Sequence, residues 1–161
     1  MANRYLALAA FLCIVFIMRI EAATVSFLVI ETGLEPETSI RSHSGLWESG
    51  LLDEFFNAGH IVSNAPILRI YDKPDNDIPE EALSELNGAI EGGADFFILA
   101  LLDYESRLQV PDRVSLKMFR IGPIKKIYDQ QFVSRRPNST REEFDSIKLI
   151  ARGLVPHLNN R

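Results

Sequence analysis

The segment 72–81, DKPDNDIPEE, holds the densest group of side chains that could do chemistry in this sequence. Carboxylates at this density could bind calcium, and the spacing D-x-N/D is one part of a calcium-binding loop. The segment lacks the glycine and the closing glutamate that such a loop requires at fixed positions. We therefore expect a solvated acidic loop that places negative charge near the start of a helix, and no metal site. The carboxylates of this segment belong to Asp72, Asp75, Asp77, Glu80 and Glu81.

A second acidic group, Asp95, Asp103 and Glu105, flanks an apolar run in the segment 95–105. Two neighbouring carboxylates can act as general acid and general base in hydrolysis. Residues 103 and 105 would face the same side if a strand continued through them, although the ends of strands are commonly polar. The acidic residues of 72–81 or 95–105 therefore define an alternative hypothesis, a small exported hydrolase or ligand-binding domain.

The three histidines form no pattern typical of a metal site or an activated nucleophile. His43 lies between Ser42 and Ser44, but adjacent residues rarely provide the geometry of a histidine-activated serine, and the motif G-x-S-x-G is absent. We expect His43 to lie in an exposed loop, and His60 to follow the end of a helix. His157 is expected at a helix end, where a cation suits the helix dipole. The sequence thus predicts no catalytic residue, no cofactor and no metal ligand.

Charge and cysteine content narrow the class of protein further. The chain has 161 residues, a formal charge of −5 and 47% hydrophobic residues, which is typical of one globular domain. An acidic chain is a poor candidate for binding nucleic acid, which is held mainly by neutralising its phosphates. The one cysteine, Cys13, lies in the first apolar run. The sequence that follows this run contains no thiol, which suits an oxidising compartment.

The N-terminus predicts export. Arg4 precedes an uninterrupted apolar run over residues 5–18. This run is shorter than the about 20 residues that a transmembrane helix needs and is typical of a signal peptide. An uncleaved signal anchor is the alternative. Cys13 lies within the run and follows Leu12, where a lipoprotein signal requires a small residue, so we do not expect lipidation.

The cleavage point lies in the sequence RIEAA. Signal peptidases prefer small residues at positions −1 and −3. A cut after Ala22 places Ile20 at −3, and a cut after Ala23 places Glu21 there, which is less suitable. We predict a signal peptide over residues 1–23, cleaved after Ala22 or Ala23. A single globular domain over 24–161 follows, and no membrane span remains after cleavage.

The sequence after residue 23 predicts alternating strands and helices followed by a strand pair. Pro66 divides one of the strands into two short extended pieces or a bulged strand. Ser139 with Glu142, or Thr140 with Glu143, matches a capping box at the start of the last helix. The order β-α-β-α-β-β-β-α predicts an α/β fold with α+β character in its C-terminal half, in which helices cover a mixed sheet, parallel early and antiparallel late. The predicted strands are 24–31, 61–71, 94–105, 113–121 and 124–134, and the predicted helices are 45–60, 80–93 and 139–158. Pro156 lies near the end of the last helix, where a proline can kink or stop it.

Four phrases occur in this order: LLDEFFNAGHIVS, IEGGADFFILALLDYE, RVSLKMFRIGPIKKIYDQQF and IKLIARGLVPHLNN. Their order and spacing resemble a group of bacterial envelope domains, the TolB N-terminal domain, CsgG and LpoB. The resemblance covers nearly the whole chain after residue 23, but the chain lacks the lipobox of the lipoprotein members. It implies a similar fold, an envelope location and action by contact with other proteins. It assigns no catalytic residue to this chain.

These observations predict an exported, non-enzymatic envelope protein that acts by protein–protein binding, as an accessory to an envelope assembly or a transport system. The expected partner is another envelope protein. The expected location is periplasmic or envelope-associated, with anchoring by an uncleaved signal segment as the alternative. An exposed edge of the sheet would suit a partner that binds by adding a strand.

Overall fold

The computed structural model describes residues 22–33, 42–72, 74–104, 110–134 and 137–159. Within these ranges the chain forms a mixed six-stranded sheet with helices on both faces. The strands are β1 (Thr24–Thr32), β2 (Ile61–Asn64), β3 (Leu68–Ile70), β4 (Phe96–Asp103), β5 (Arg113–Arg120) and β6 (Lys125–Val133). The helices are α1 (Ser42–Asn57), α2 (Leu83–Glu91), α3 (Thr140–Arg152) and α4 (Val155–Leu158), and a 3-10 turn, Glu80–Ala82, precedes α2.

The sheet has the strand order β2-β1-β4-β5-β6, and β3 pairs with β1 beyond the end of β2. Strand β1 runs parallel to β2, β3 and β4, whereas β4, β5 and β6 pair antiparallel. The predicted α/β fold with a mixed sheet, parallel early and antiparallel late, is therefore confirmed. Pro66 separates β2 from β3, as expected of a residue that has no N–H to donate to a strand. The hairpin between β5 and β6 turns at Gly122, whose φ is +88°.

Burial along the strands explains their apolar composition. Every residue of β4 is buried, because α1, α3 and α4 cover one face of the sheet while α2 and the 3-10 turn cover the other. Strand β5 alternates instead: Val114, Leu116 and Met118 are buried, and Ser115 and Lys117 are partly exposed. A strand with one wet face shows this period of two, as the sequence predicted.

The last predicted helix is divided near Pro156. The stretch predicted as one helix over 139–158 consists of α3 and α4, which are separated at Gly153 and Leu154. Pro156 lies in the first turn of α4, where its missing N–H costs nothing. At the other end, Ser139 Oγ accepts a hydrogen bond from Glu142 N at 3.2 Å, so the predicted cap at Ser139 is confirmed. The Glu142 carboxylate accepts from Asn138 N at 2.8 Å.

Helices α1 and α3 pack closely and are joined by ion pairs at their exposed margins. Arg152 of α3 binds the Glu54 carboxylate with two hydrogen bonds of 2.8 and 3.1 Å, and Lys148 Nζ lies 2.5 Å from Asp53 Oδ2. In the second pair, the hydrogen bond from Lys148 lowers the pKa of Asp53, and the same hydrogen bond raises the pKa of Lys148. These ion pairs hold α1 against α3.

No helix in the described ranges combines the length and the apolar composition that crossing a membrane requires. Residues 1–21 of the predicted signal peptide lie outside the described residues. Ala22, at the predicted cleavage point, is the first described residue.

Candidate functional site

The carboxyl ends of the parallel strands carry a buried ion pair between Glu31 and Arg69. These residues are directly opposite each other in the register of β1 and β3. Glu31 is fully buried, and its Oε2 accepts hydrogen bonds from Arg69 Nη2 at 2.5 Å and from Arg69 Nε at 3.1 Å. A buried carboxylate requires a partner of this kind, because an uncompensated charge is strongly unfavourable in the protein interior.

Two hydroxyl groups extend this ion pair into a hydrogen-bonded network. Ser44, in the first turn of α1, donates to Glu31 Oε1 at 2.6 Å. Ser44 Oγ also lies 2.8 Å from the hydroxyl of Tyr104, directly after β4. A serine has one hydroxyl hydrogen, so Tyr104 donates to Ser44 while Ser44 donates to Glu31. The network joins the start of α1 to the ends of β1, β3 and β4.

This network lies where open α/β sheets commonly bind ligands, outside the carboxyl ends of the parallel strands. Its chemistry, however, is that of a structural link. Ser44 is fully buried, as is the Glu31 carboxylate that it contacts, and an activated serine needs a base such as histidine in that position. The hydrogen bonds of Ser44 to Glu31 and Tyr104 fasten helix α1 to the sheet.

The expectation that His43 lies in an exposed loop is wrong. Helix α1 begins at Ser42, three residues earlier than predicted, and His43 lies in its first turn. Its Nδ1 donates to Glu143 Oε2 at 2.5 Å, and the side chains of His43 and Glu143 are 17% and 8% exposed. Glu143 is thus used for a contact between α1 and α3, and the alternative cap that pairs it with Thr140 does not form.

The other two histidines lie far from this network. His60 is buried directly before β2, and its Nδ1 accepts a hydrogen bond from Ala23 N at 3.2 Å. His157 lies in α4, where its ring contacts Tyr128 edge-on with 5.2 Å between the ring centroids. Burial raises the pKa of Tyr128 above its ordinary value of 10.0.

The acidic residues predicted around β4 lie at its opposite ends. Asp95 precedes the strand and accepts a hydrogen bond from Thr24 N at 2.8 Å. Asp103 ends the strand, about 26 Å away at the usual rise per residue, and its Oδ2 is 3.5 Å from Arg113 Nε. Glu105 lies outside the described residues. The structure therefore does not bring Asp95 and Asp103 together.

In the acidic segment, Asp77 contacts two lysines of the sheet. Asp77 Oδ1 lies 3.1 Å from Lys117 Nζ on β5 and 2.8 Å from Lys126 Nζ on β6. Hydrogen bonds from Lys126 and Lys117 lower the pKa of Asp77, and Asp129 and Asp77 together raise the pKa of Lys126. In the described parts of the chain, no cluster of three or more metal-binding side chains occurs. The predicted exposure is confirmed for Asp72, Asp75, Asp77, Glu80 and Glu81.

A groove of about 420 Å³ opens between the end of β6 and helix α3. Val133 of β6 and Leu149 of α3 line the groove, and their side chains are 79% and 68% exposed. The groove floor includes Trp47 of α1 and Val114 of β5, both of which are buried. It is predominantly apolar, which the sequence could not reveal, because its walls come from segments that are distant along the chain.

Strand β6 is an edge strand among the described residues, since its pairing is with β5 alone. Most of its residues are exposed. A register shift opposite Met118 and Phe119 interrupts its pairing near Ile127, and the part from Tyr128 to Val133 continues in regular register. This regular part leads directly into the groove.

Several solved structures of low sequence identity are similar to this chain. A PelC variant from Paraburkholderia phytofirmans, solved as a dodecamer, is 16% identical with a TM-score of 0.45, covering 87% of this chain and 90% of that chain. A competence or damage-inducible protein from Enterobacter asburiae is 10% identical with a TM-score of 0.42, covering 83% and 87%. A hypothetical protein from Chlamydia trachomatis is 15% identical with a TM-score of 0.38, covering 85% and 93%. These values do not support a functional argument.

A comparison with curated proteins found no match. A family model matches residues 24–132, which include β1 to β5 and most of β6, and the family is described as "Uncharacterised protein". The match begins at the first residue of β1, where the predicted signal peptide ends. By this match over more than half of its length, the chain belongs to that family.

Proposed function

We propose that this protein is exported and acts in the cell envelope by binding another protein. The proposed contact surface consists of the outer edge of β6 and the adjacent groove, with Phe132, Val133, Leu149 and Ile150 as its apolar side chains. We call this the β6 surface. The observation that carries the proposal is the exposure of Val133 and Leu149 on the two sides of an apolar groove.

The geometry of the β6 surface suits an extended segment of a partner. An edge strand presents backbone N–H and C=O groups that a partner strand can pair with, and pockets for alternate side chains add specificity. Residues 128–133 are in regular register with β5, so a partner strand could continue the sheet there. Its side chains on one face would then enter the groove beside α3.

The chemistry of the groove indicates an apolar partner side chain. Its walls carry Phe132, Val133, Leu149 and Ile150, and its margin carries Glu142 and Ser146 of α3. Contiguous exposed apolar groups beside a cavity mark binding sites more often than isolated ones do. An apolar side chain flanked by polar or basic residues would fit this arrangement.

The envelope location rests on the sequence. The apolar run over 5–18, the small residues Ala22 and Ala23, and a thiol-free chain after residue 23 support export. The resemblance to the TolB, CsgG and LpoB group supports an envelope protein that acts through contacts with other proteins, as an accessory to an assembly or a transport system. The alternative hydrolase would need Asp103, Glu105 and a histidine in one pocket, whereas Asp103 pairs with Arg113 and His43 contacts Glu143.

Site-specific photocrosslinking in cells that make the protein would test the proposal. A photoreactive phenylalanine analogue at Val133 should form a reproducible adduct with one envelope protein. The same analogue at Phe56, which is 68% exposed on α1 and outside the groove, is the matched control and should not form that adduct. The variant Leu149→Asp should abolish the adduct at position 133 while circular dichroism remains unchanged.

Two results would contradict the proposal. Adducts of equal yield at positions 133 and 56 would show that contact is unspecific. An adduct made only of two copies of this chain would replace a foreign partner with self-association. Fractionation of the same cells tests the location, because a protein recovered only from the cytoplasm is not exported.

A further inference from the structure

The described structure begins with two alanines that differ sharply in their surroundings. Ala22 is exposed, whereas Ala23 is fully buried. Ala23 belongs to the main core on the face of the sheet covered by α1, together with Val25 and Phe27 of β1. The fold therefore uses the Ala23 side chain and does not bury that of Ala22.

The backbone of Ala23 is equally engaged. Its N–H donates to His60 Nδ1 at 3.2 Å, and its carbonyl accepts from Ile61 N at 2.9 Å. These bonds extend the parallel pairing of β1 and β2, which starts at Thr24 and Ile61. Among the described residues, Ala23 is thus the first whose side chain is buried and whose backbone N–H and C=O are both hydrogen-bonded within the domain.

We propose that the mature protein begins at Ala23, because the peptide bond between Ala22 and Ala23 is the cleaved bond. This inference rests on the proposed export and names its processing site. In the reaction, an endopeptidase of the export pathway adds water across the bond. The hydroxyl goes to the Ala22 carbonyl carbon and a proton goes to the Ala23 nitrogen, which gives a carboxylic acid on Ala22 and an amine on Ala23. The acid then transfers its proton to the amine, which leaves a carboxylate on Ala22 and an ammonium group on Ala23.

The new amino terminus would keep the contact that the amide makes. Its nitrogen lies 3.2 Å from His60 Nδ1, and an ammonium group has three hydrogens to donate. A neutral imidazole protonated on Nε2 accepts such a hydrogen on Nδ1. The cut after Ala22 therefore preserves the buried methyl group and both backbone hydrogen bonds of Ala23.

A cut after Ala23 would have a different result. It would remove a fully buried side chain and leave the Ile61 N–H without the Ala23 carbonyl. The new ammonium group at Thr24 would instead face Asp95, whose Oδ2 is 2.8 Å from Thr24 N. This charge pair would be gained, but the packing of the Ala23 side chain and the two backbone hydrogen bonds of Ala23 would be lost. Glu21 would also occupy the −3 position of the cleavage site, where a small residue is preferred.

The mass of the exported protein tests this inference directly. The full chain, expressed with its own N-terminus in a bacterium, is purified from the exported fraction, and its N-terminus is determined by intact mass and sequencing. A first residue at Ala23 supports the proposal. An exported chain that starts at Thr24, or that retains residues 1–22, overturns it and leaves export intact. A full-length chain found only in the cytoplasm overturns export as well.

A stability comparison tests the physical reason separately. Three chains starting at Ala22, Ala23 and Thr24 are released without extra residues from a cleavable fusion and unfolded in urea. The Ala22 and Ala23 chains should both unfold at a higher urea concentration than the Thr24 chain, because both keep the buried side chain and the hydrogen bonds of Ala23. Equal midpoints for the Ala23 and Thr24 chains would overturn the argument that the fold requires Ala23.

Discussion

Gly50 of α1 faces Ile147 of α3 so closely that a Cβ atom at position 50 would lie 2.5 Å from Ile147 Cγ2. The absence of a side chain at Gly50 is therefore what allows the two helices to approach each other. Ile147 is 1% exposed and belongs to the main core, so it has little room to move.

The variant Gly50→Ala should destabilise the protein by about 1–3 kcal/mol, the usual cost of overpacking a core. Urea unfolding measures the change. Gly45→Ala in the same helix is the matched control, since a Cβ there meets nothing within 4 Å. It should stabilise by up to about 1 kcal/mol through helix propensity. Equal effects at both positions would contradict the close helix contact.

The network at the carboxyl ends of the strands predicts a second stability effect. Ser44→Ala removes the donor to Glu31 Oε1 and the acceptor for the Tyr104 hydroxyl. Groups left with unmet hydrogen-bonding needs inside a protein cost about 1–3 kcal/mol. Ser49→Ala, at an exposed position of α1, should change the unfolding free energy by less than about 0.5 kcal/mol. A negligible loss for Ser44→Ala would show that the network does not hold α1 in place.

The ion pair between Glu31 and Arg69 predicts that substitutions of these two residues have non-additive effects on the free energy of unfolding. Arg69→Met leaves the fully buried Glu31 carboxylate without its guanidinium partner and should cost about 3 kcal/mol. Combining it with Glu31→Gln removes the buried negative charge, and the amide oxygen can still accept from Ser44. The double variant should therefore be more stable than Arg69→Met alone. Urea unfolding of the single and double variants measures the coupling, and simple additivity would contradict it.

The contact of Asp77 with Lys126 and Lys117 predicts a pH-dependent contribution. The two lysines lower the pKa of Asp77 below its ordinary value of 3.8, so its contribution to stability is present above pH 3.8 and disappears as the pH falls through the lowered pKa. Asp77→Asn should lower the unfolding midpoint at pH 6 and not at pH 2. The effect should be small and should weaken with added salt, because Asp77 is half exposed and its charge is screened.

Asp75→Asn is the control for this pH dependence, because Asp75 is exposed in the same segment. It should leave the difference between pH 6 and pH 2 unchanged. A difference between wild type and Asp77→Asn that grows as the pH falls would have the wrong sign for a lowered carboxyl pKa.

The sequence by itself determined the elements and most of their order. The alternation of Val114, Leu116 and Met118 with polar residues requires a strand with one wet face, and the continuous apolar run of β4 requires cover on both faces. Pro66 and Ser139 mark a strand break and a helix start through local chemistry that needs no distant partner. These signals act over a few residues, so they could be predicted from neighbouring positions alone.

Tertiary structure decided the contacts that join these elements. His43 and Glu143 are 100 residues apart in the chain, and Ser44 and Tyr104 are 60 apart. Their meeting depends on strand order and on the packing of α1 against α3, which no local pattern specifies. The same holds for the groove beside β6 and for the hydrogen bond between Ala23 and His60, whose 37-residue separation is closed by the parallel pairing of β1 and β2. A propensity is local to the chain, but a site depends on which distant residues the fold brings into contact.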